Sequence, residues 1–252
     1  EDTQALWRAV RQLLAARGVG DEDGLSYTVP EDLLAHWRHP ALLLSQTCGY
    51  PLVTLLANVQ TVGCFHYSAP GCEGRNYRSL LVAREADGGK SLADFHGRRV
   101  ACNSPDSQSG YNVLLKMIAP LSRDGRFFST VAFSGSHRQS LRELQQGTAD
   151  IAAIDCVTWA LLQRHQPEAL AGLTVIAHSP LAPGLPLITS ATTPAATLEL
   201  LREALQQLVS DERYQPLCEA LFICGYSDMR RADYQPLLAW REEAAARGVV
   251  RL

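Results

Sequence analysis

The stretch Asn103-Ser104-Pro105-Asp106-Ser107-Gln108-Ser109-Gly110-Tyr111 lies between two segments of different period. Before it, Arg99-Val100-Ala101-Cys102 is a short apolar run of strand character. After it, Tyr111 to Ile118 has the spacing of a helix. A hydroxyl-rich turn therefore sits where a strand feeds a helix. The first N–H groups of a helix have no partner within it, and the helix dipole adds partial positive charge there. Ser107 and Ser109 add hydroxyl donors, Gln108 adds an amide, and Gly110 lets backbone approach a ligand closely. Together they form a candidate oxyanion cradle that uses neither lysine nor arginine. The simpler reading of the turn alone is a helix cap by Asp106 or Ser107.

The segments around the turn alternate in character. Upstream, Thr3 to Ala16 puts Leu6, Val10, Leu13 and Leu14 on one helical face, ended by Gly18 and Gly20. Leu25 to Val29 is expected as a short extended segment. Pro30-Glu31-Asp32 opens a second helix, and Trp37-Arg38-His39-Pro40 stops it. Ala41 to Ser45 is a continuous apolar run, expected as a strand covered on both faces, and it ends in the polar turn Gln46 to Pro51. Asn58 to Ser68 and Tyr77 to Arg84 read as strands on either side of the Gly-rich loop Pro70 to Gly74. Ser91-Leu92-Ala93-Asp94 has capping-box spacing.

Downstream, Phe127 to Phe133 reads as a strand. Ser136 and Gln139 again have capping-box spacing, ahead of a helix carrying Leu141 and Leu144 and closed by Gly147. Asp150 to Ile154 leads through Asp155 into a helix reaching His165. Leu173 to Ala177 and Leu187 to Thr189 are strands flanking the connector Pro180 to Pro186. Thr193-Pro194 caps a helix to Val209, and two helical segments, 212–222 and 231–247, finish the chain. Strands alternating with helices predict a parallel α/β sheet. Polar residues recur just after strands, at Gln46, Ser107, His137 and Asp155, where ligands of open α/β sheets bind.

A chain of 252 residues suits one large domain or two small lobes. The net charge of -3 gives no sign of a nucleic-acid or anionic-membrane surface. No apolar run approaches the roughly 20 residues that span a bilayer. Residues 1 to 20 start acidic and become an amphipathic helix, unlike a signal peptide. The seven cysteines include no CxxC pair, so a structural zinc site of the usual spacing is not expected; no other metal and no cofactor is expected either. Cys102 and Cys156 lie in apolar runs as small buried hydrophobes. Cys64 with Cys72, and Cys218 with Cys224, are close enough in sequence to bridge. So many thiols lean towards a reducing compartment.

The turns taken together resemble the phosphate/phosphonate ABC-transporter substrate-binding family. The matching pieces are Gly74-Arg75-Asn76-Tyr77-Arg78-Ser79, Asp106-Ser107-Gln108-Ser109-Gly110, Phe133-Ser134-Gly135-Ser136-His137, Gly147-Thr148-Ala149-Asp150 with Asp155, and Pro180 to Pro186. The resemblance implies an α/β, two-lobed type II periplasmic-binding-protein-like fold. Lobe 1 would be residues 1–78 plus 184–252 and lobe 2 residues 79–183, with two hinge crossings near Tyr77–Ala83 and Pro183–Ile188. It implies a small anionic ligand (phosphate, phosphite or organophosphonate-like) held by Ser107, Gln108 and Ser109, with Tyr77, His137 and Asp155 beside it. Gln46 and Thr47 end a strand facing the same cleft. It also implies an ABC-transporter permease as partner, a monomer with no catalytic residue, no nucleic-acid partner, and a place in the periplasm or anchored to a membrane outside the cytoplasm.

Two departures bear on this. Where the family usually has Thr in the middle of the cradle, this chain has Gln108, a longer, amide-bearing side chain. The family opens with a strand carrying a pocket aromatic, and this sequence begins at the helix after it. Two other functions fit the same residues. One is a ligand-sensing domain of a regulatory system. The other is an enzyme using Ser109, His137 and Asp155, which needs His137 within hydrogen-bond reach of the nucleophile although no G-x-S-x-G elbow is present.

Overall fold

The computed structural model describes residues 2–20 and 30–252. The extended segment expected at Leu25–Val29 lies outside the described residues. The strands, in chain order, are β1 (Ser45–Gln46), β2 (Val59–Tyr67), β3 (Asn76–Tyr77), β4 (Ser79–Arg84), β5 (Arg99–Cys102), β6 (Thr130–Phe133), β7 (Ile151–Asp155), β8 (Leu173–His178), β9 (Ala182–Pro183), β10 (Pro186–Ser190) and β11 (Ile223–Ser227). The helices are α1 (Asp2–Ala15), α2 (Leu33–Trp37), α3 (Gly49–Thr54), α4 (Val113–Ile118), α5 (His137–Gln146), α6 (Cys156–His165), α7 (Ala195–Ser210), α8 (Gln215–Ala220) and α9 (Pro236–Ala246).

Two sheets share the strands. The first has the order β1-β10-β2-β11, the second β6-β5-β7-β4-β8, and a two-stranded ribbon, β3-β9, lies where the chain passes between them. The expectation of parallel strands is corrected here. Every pairing in the first sheet is antiparallel. In the second, β5 runs parallel to β6 and β7, but β4 is antiparallel to both its neighbours. The cause is the direction of entry. Ser79 at the start of β4 stands opposite Asp155 at the end of β7. The chain comes in from the end at which β7 finishes, so β4 has to run against it.

Other boundaries move for local reasons. The apolar run Ala41–Leu44 pairs as a strand only from Ser45 onward, although the Leu42 carbonyl still accepts from Ser190 N–H and Thr189 Oγ1. Helix α2 begins only at Leu33, so Pro30 lies ahead of its first turn, and Asp32 is the cap, its carboxylate accepting from Ala35 N–H. The strand read over Phe127–Phe133 pairs only from Thr130, while Phe127 and Phe128 are buried. The 212–222 segment breaks into a short 3₁₀ turn and α8, followed by β11, a strand absent from the sequence reading.

The apolar faces sort into three cores. Ala9, Val10, Leu13 and Leu14 of α1 pack with Leu201, Leu205 and Leu208 of α7 beneath Val62 and Phe65 of the first sheet. Leu114, Leu115 and Ile118 of α4 pack with Phe127 and Val100 under the second. A third cluster joins Tyr77, Leu80, Val82, Ile154 and Ile188 with Tyr234 and Leu237 around the passages between the sheets. Helix α9 spans two of these: Leu237 belongs to the third cluster, whereas Ala244, with Val249 beyond the helix end, belongs to the second.

Tyr234 is fully buried, and its hydroxyl donates to the Gly184 carbonyl at 2.9 Å. The Gly184 N–H in turn donates to Arg75 O at 2.8 Å, tying the two passages together. Tyr234→Phe keeps the ring and deletes one hydrogen bond at this junction. A loss of about 1–2 kcal/mol is expected in urea unfolding, and an unchanged midpoint would contradict it.

Candidate functional site

The Ser-rich turn forms a cap and a π-helical turn together. Ser107 is the N-cap of a π-helical turn, Gln108–Asn112, its hydroxyl accepting from Gly110 N–H at 3.0 Å. The turn runs directly into α4. The capping reading holds for Ser107, and the side chains of Gln108 and Ser109 take no part in that cap. Gly110 is required by close approach, since a Cβ there would lie 1.9 Å from Asn103 Oδ1.

Ser107, Gln108 and Ser109 are all buried. The Gln108 amide is oriented by its neighbour: Asn112 Nδ2 donates to Gln108 Oε1 at 2.8 Å and also to the Leu237 carbonyl at 3.1 Å. With its oxygen occupied, Gln108 turns its Nε2 donor outward from that pair, and this buried atom has no hydrogen-bond partner. The Ser109 hydroxyl shares a 2.8 Å hydrogen bond with His137 Nε2. The Ser109 carbonyl accepts from Ser79 Oγ at 2.8 Å, fastening the turn to the first residue of β4. Ser79 N–H donates to Ser179 Oγ, also at 2.8 Å.

His137 opens α5, with Ser136 as the cap that accepts from Gln139 N–H. Burial pushes its imidazole below the usual histidine range, and the nearby Asp155 carboxylate opposes this. The Asp155 carboxylate is committed to α6, where it accepts from Val157 N–H at 2.9 Å and Thr158 Oγ1 at 2.8 Å. Tyr77 is buried in β3, and burial holds its phenol well above the usual range. The Tyr77 hydroxyl and the Thr47 hydroxyl, like Gln108 Nε2, are buried without a hydrogen-bond partner.

Helix α3 packs against the π-helical turn, bringing the end of β1 to the cradle. Cys48 caps α3, and its thiol is pushed up to about 11 by burial, partly offset by the backbone N–H groups of Gln108 and Ser109. Gln46 stands apart. It is exposed, and its amide donates to Tyr67 Oη at 3.2 Å. The fold thus gathers Thr47, Tyr77, Gln108, Ser109, His137 and Asp155, with Ser107 as cap and Gln46 at the exposed rim, hydrogen-bonded to Tyr67.

Sequence reading missed Ser79, Ser179, Asn112 and Cys48 as parts of this cluster. Ser79 was available as the last residue of the Gly74–Ser79 motif, and Asn112 as an amide one helical turn after Gln108. Nothing local marks Ser179 or Cys48. Arg75 and Arg78, before the first passage, are engaged with Asp233 (3.8 Å) and Glu73 (2.6 Å). Among the described residues, no group of three or more His, Cys, Asp or Glu side chains could hold a metal ion, and no helix is long and apolar enough to cross a membrane.

A family profile described as ABC transporter, phosphonate, periplasmic substrate-binding protein matches residues 50–234. The chain belongs to this family. The phosphonate-binding family's fold is also the fold of its structural neighbours. PhnD1 from Prochlorococcus marinus, solved with methylphosphonate, superposes with a TM-score of 0.78 at 13% identity, over 97% of this chain and 93% of that one. A binding protein component of an ABC phosphonate transporter from Pseudomonas aeruginosa gives 0.80 at 17% identity, over 98% and 83%. XAC2383 from Xanthomonas citri, solved with ATP, gives 0.70 at 14% identity, over 95% and 91%. No curated protein matches the chain significantly. As a member of the phosphonate-binding family, this chain is a solute-binding protein of an ABC transporter on the type II periplasmic-binding fold.

Proposed function

We propose that the protein captures a small oxyanion, phosphate, phosphite or an organophosphonate, between two lobes and delivers it to a permease outside the cytoplasm. The observation that carries this reading is the set of unpartnered buried donors. Thr47 Oγ1, Tyr77 Oη and Gln108 Nε2 come from three separate elements, and each is buried without a hydrogen bond. Leaving such groups unpaired costs about 1–3 kcal/mol each, which an acceptor-rich ligand would recover. The backbone N–H groups of Gln108 and Ser109 add further donors without a formal cation. Lobe 1 would comprise 1–78 and 184–252 and lobe 2 79–183, closing by rotation about the β3–β4 and β9–β10 passages.

Catalysis is no part of this reading, although one observation favours it. The Ser109–His137 contact of 2.8 Å is within the reach that an activated nucleophile requires. The third member is lacking, because Asp155 is spent on the cap of α6 and His137 Nδ1 has no hydrogen-bond partner. A burst of nitrophenol from nitrophenyl esters or phosphates, lost in Ser109→Ala, would reverse this judgement. A sensing role for the same site would show itself as a regulatory partner in place of a permease.

The test is isothermal calorimetry of protein refolded free of ligand, against phosphate, phosphite, methylphosphonate, 2-aminoethylphosphonate and small carboxylates. One-site binding to a phosphorus oxyanion is expected. Gln108→Ala should weaken it roughly 10- to 100-fold, the range for one hydrogen bond to a charged group. Silence across the phosphorus panel, or full affinity in Gln108→Ala, would overturn the reading.

A further inference from the structure

Two thiols meet where the chain leaves the first sheet for the second. Cys72 lies in the loop between β2 and β3, and Cys156 is the first residue of α6. Their sulfurs are 3.5 Å apart, and both cysteines are free. Backbone sets this approach from both sides. A Cβ on Gly71 would come within 3.1 Å of the Cys156 Cβ. Arg78 Nε donates to the Gly71 carbonyl at 3.2 Å, and Cys156 N–H donates to the Arg78 carbonyl at 3.1 Å. The far end of α6 is likewise held to the first-sheet side. The Arg164 guanidinium lies 3.5 Å over the Phe222 ring and donates to the Glu219 and Ala220 carbonyls at the end of α8.

We propose that Cys72 and Cys156 form a modification site, a dithiol that closes to a disulfide and fastens α6 to the segment entering the first passage, so that oxidation holds the cleft shut. The proposal rests on the two-lobed reading above. The oxidant is a small-molecule or protein disulfide. Cys72 is the more exposed of the two; its hydrogen bond to Cys156 and burial hold its thiol well above the usual range, so it attacks the external disulfide as its proton passes to the Cys156 sulfur beside it. One thiolate leaves with the electron pair of the broken bond, and a mixed disulfide remains on Cys72. Cys156 then attacks the Cys72 sulfur, and the second external thiolate leaves. Two cysteines have given up two protons and two electrons, and the external disulfide has become two thiols. Cys156 suits the second step. It stands in the first turn of a ten-residue helix, which favours the thiolate, and it hands its proton to the departing external thiolate.

The experiment treats reduced protein with oxidised glutathione, followed by alkylation and peptide mapping. A Cys72–Cys156 linked peptide is expected in the wild type, and a lasting glutathione adduct on Cys72 in Cys156→Ser. Dithiothreitol should reverse both. Oxidation should slow methylphosphonate release at least tenfold in the wild type and leave Cys72→Ser unchanged. Small-angle scattering of ligand-free protein should show the oxidised form more compact than the reduced. No linked peptide, an unaltered release rate, or identical scattering of the two forms would each overturn the latch. Failure of reduced protein to bind any phosphorus oxyanion would instead overturn the ligand reading, and mapping and scattering would still decide the latch.

Discussion

Asp150→Ala should destabilise the protein by about 2–3 kcal/mol, among the largest losses from any single charge. Asp150 immediately precedes β7 and is 6% exposed. Its carboxylate accepts from Arg99 Nε and Nη2 at 2.9 Å each, from Arg99 N–H at 3.1 Å, and from Arg84 Nη2 at 2.7 Å. Arg84 also reaches the Leu144 and Ala149 carbonyls, so the carboxylate organises the joint between β4, β5 and α5. Removing one partner of a fully buried ion pair costs roughly 3–5 kcal/mol. The guanidiniums here are 30% and 43% exposed, so water takes up part of their charge and the figure falls.

The same carboxylate makes this loss depend on pH. The Arg99 side chain, then Arg84 and the Arg99 N–H, hold the carboxyl of Asp150 well below the usual range, against the opposing effect of burial. A folded-state pKa below the unfolded one means stability fully present above about pH 4 and lost as pH falls towards the folded value. The gap between wild type and Asp150→Ala should therefore be widest at pH 7 and narrow below pH 4. Urea midpoints at pH 7 and pH 3 decide this. Equal gaps at both pH values would show that the carboxylate acts by packing and not by charge.

Gly63→Ala should be at least as damaging, about 3 kcal/mol, lowering Tm by roughly 6–12 °C in a chain of this size. Gly63 sits in β2, which is flanked by β10 and β11. An added Cβ would lie 2.5 Å from the Ser227 carbonyl oxygen and 2.4 Å from Tyr226 Oη. Neither neighbour can retreat freely. Ser227 O belongs to the backbone of β11, and Tyr226 Oη is fixed by a 2.8 Å hydrogen bond to Val62 O. The methyl group has to push an edge strand off the sheet. Gly89→Ala is the control: nothing lies within 4 Å of its added Cβ, so Tm should scarcely change. Thermal melts that place both variants at the wild-type Tm would show that β11 yields without penalty.

What could be read from the sequence is what neighbouring residues decide among themselves. At the Ser91–Asp94 box the Asp94 carboxylate accepts from Ser91 N–H at 2.8 Å and from Ser91 Oγ at 2.7 Å. Ser136 caps α5, and Gly147 closes it with φ of +74°. The strand–cradle–helix order at 99–118 held, because a cap, a short apolar run and a helical stripe are each written within a few positions. Strand direction was not legible. Leu80, Leu81 and Val82 announce burial, and only the route of entry past Ser79 turns β4 against its neighbours. The strand β11 was missed because Ile223-Cys224-Gly225-Tyr226-Ser227 alternates poorly and its partner β2 is more than 150 residues away. The sulfur neighbour of Cys72 proved to be Cys156, 84 positions on, and not Cys64.

In the site, residue types pointed to donors, but only packing could leave Thr47, Tyr77 and Gln108 without partners. The i, i+4 spacing of Gln108 and Asn112 was legible, but that Asn112 also reaches the Leu237 carbonyl, 125 positions on, was not.

The two sheets also differ in how they are strung along the chain. Every strand of the second comes from one uninterrupted stretch, 79–178, whereas the first draws β1 and β2 from before that stretch and β10 and β11 from after it. On an advancing ribosome the second sheet has all its strands as soon as residue 178 has left the tunnel. Val59–Tyr67 must then wait, with both edges open, until Pro186–Ser190 and Ile223–Ser227 arrive. Exposed edges of this kind pair with other chains. Slow elongation after residue 190 should therefore favour aggregation of the nascent chain, through β2 and not through the sheet that carries the cradle.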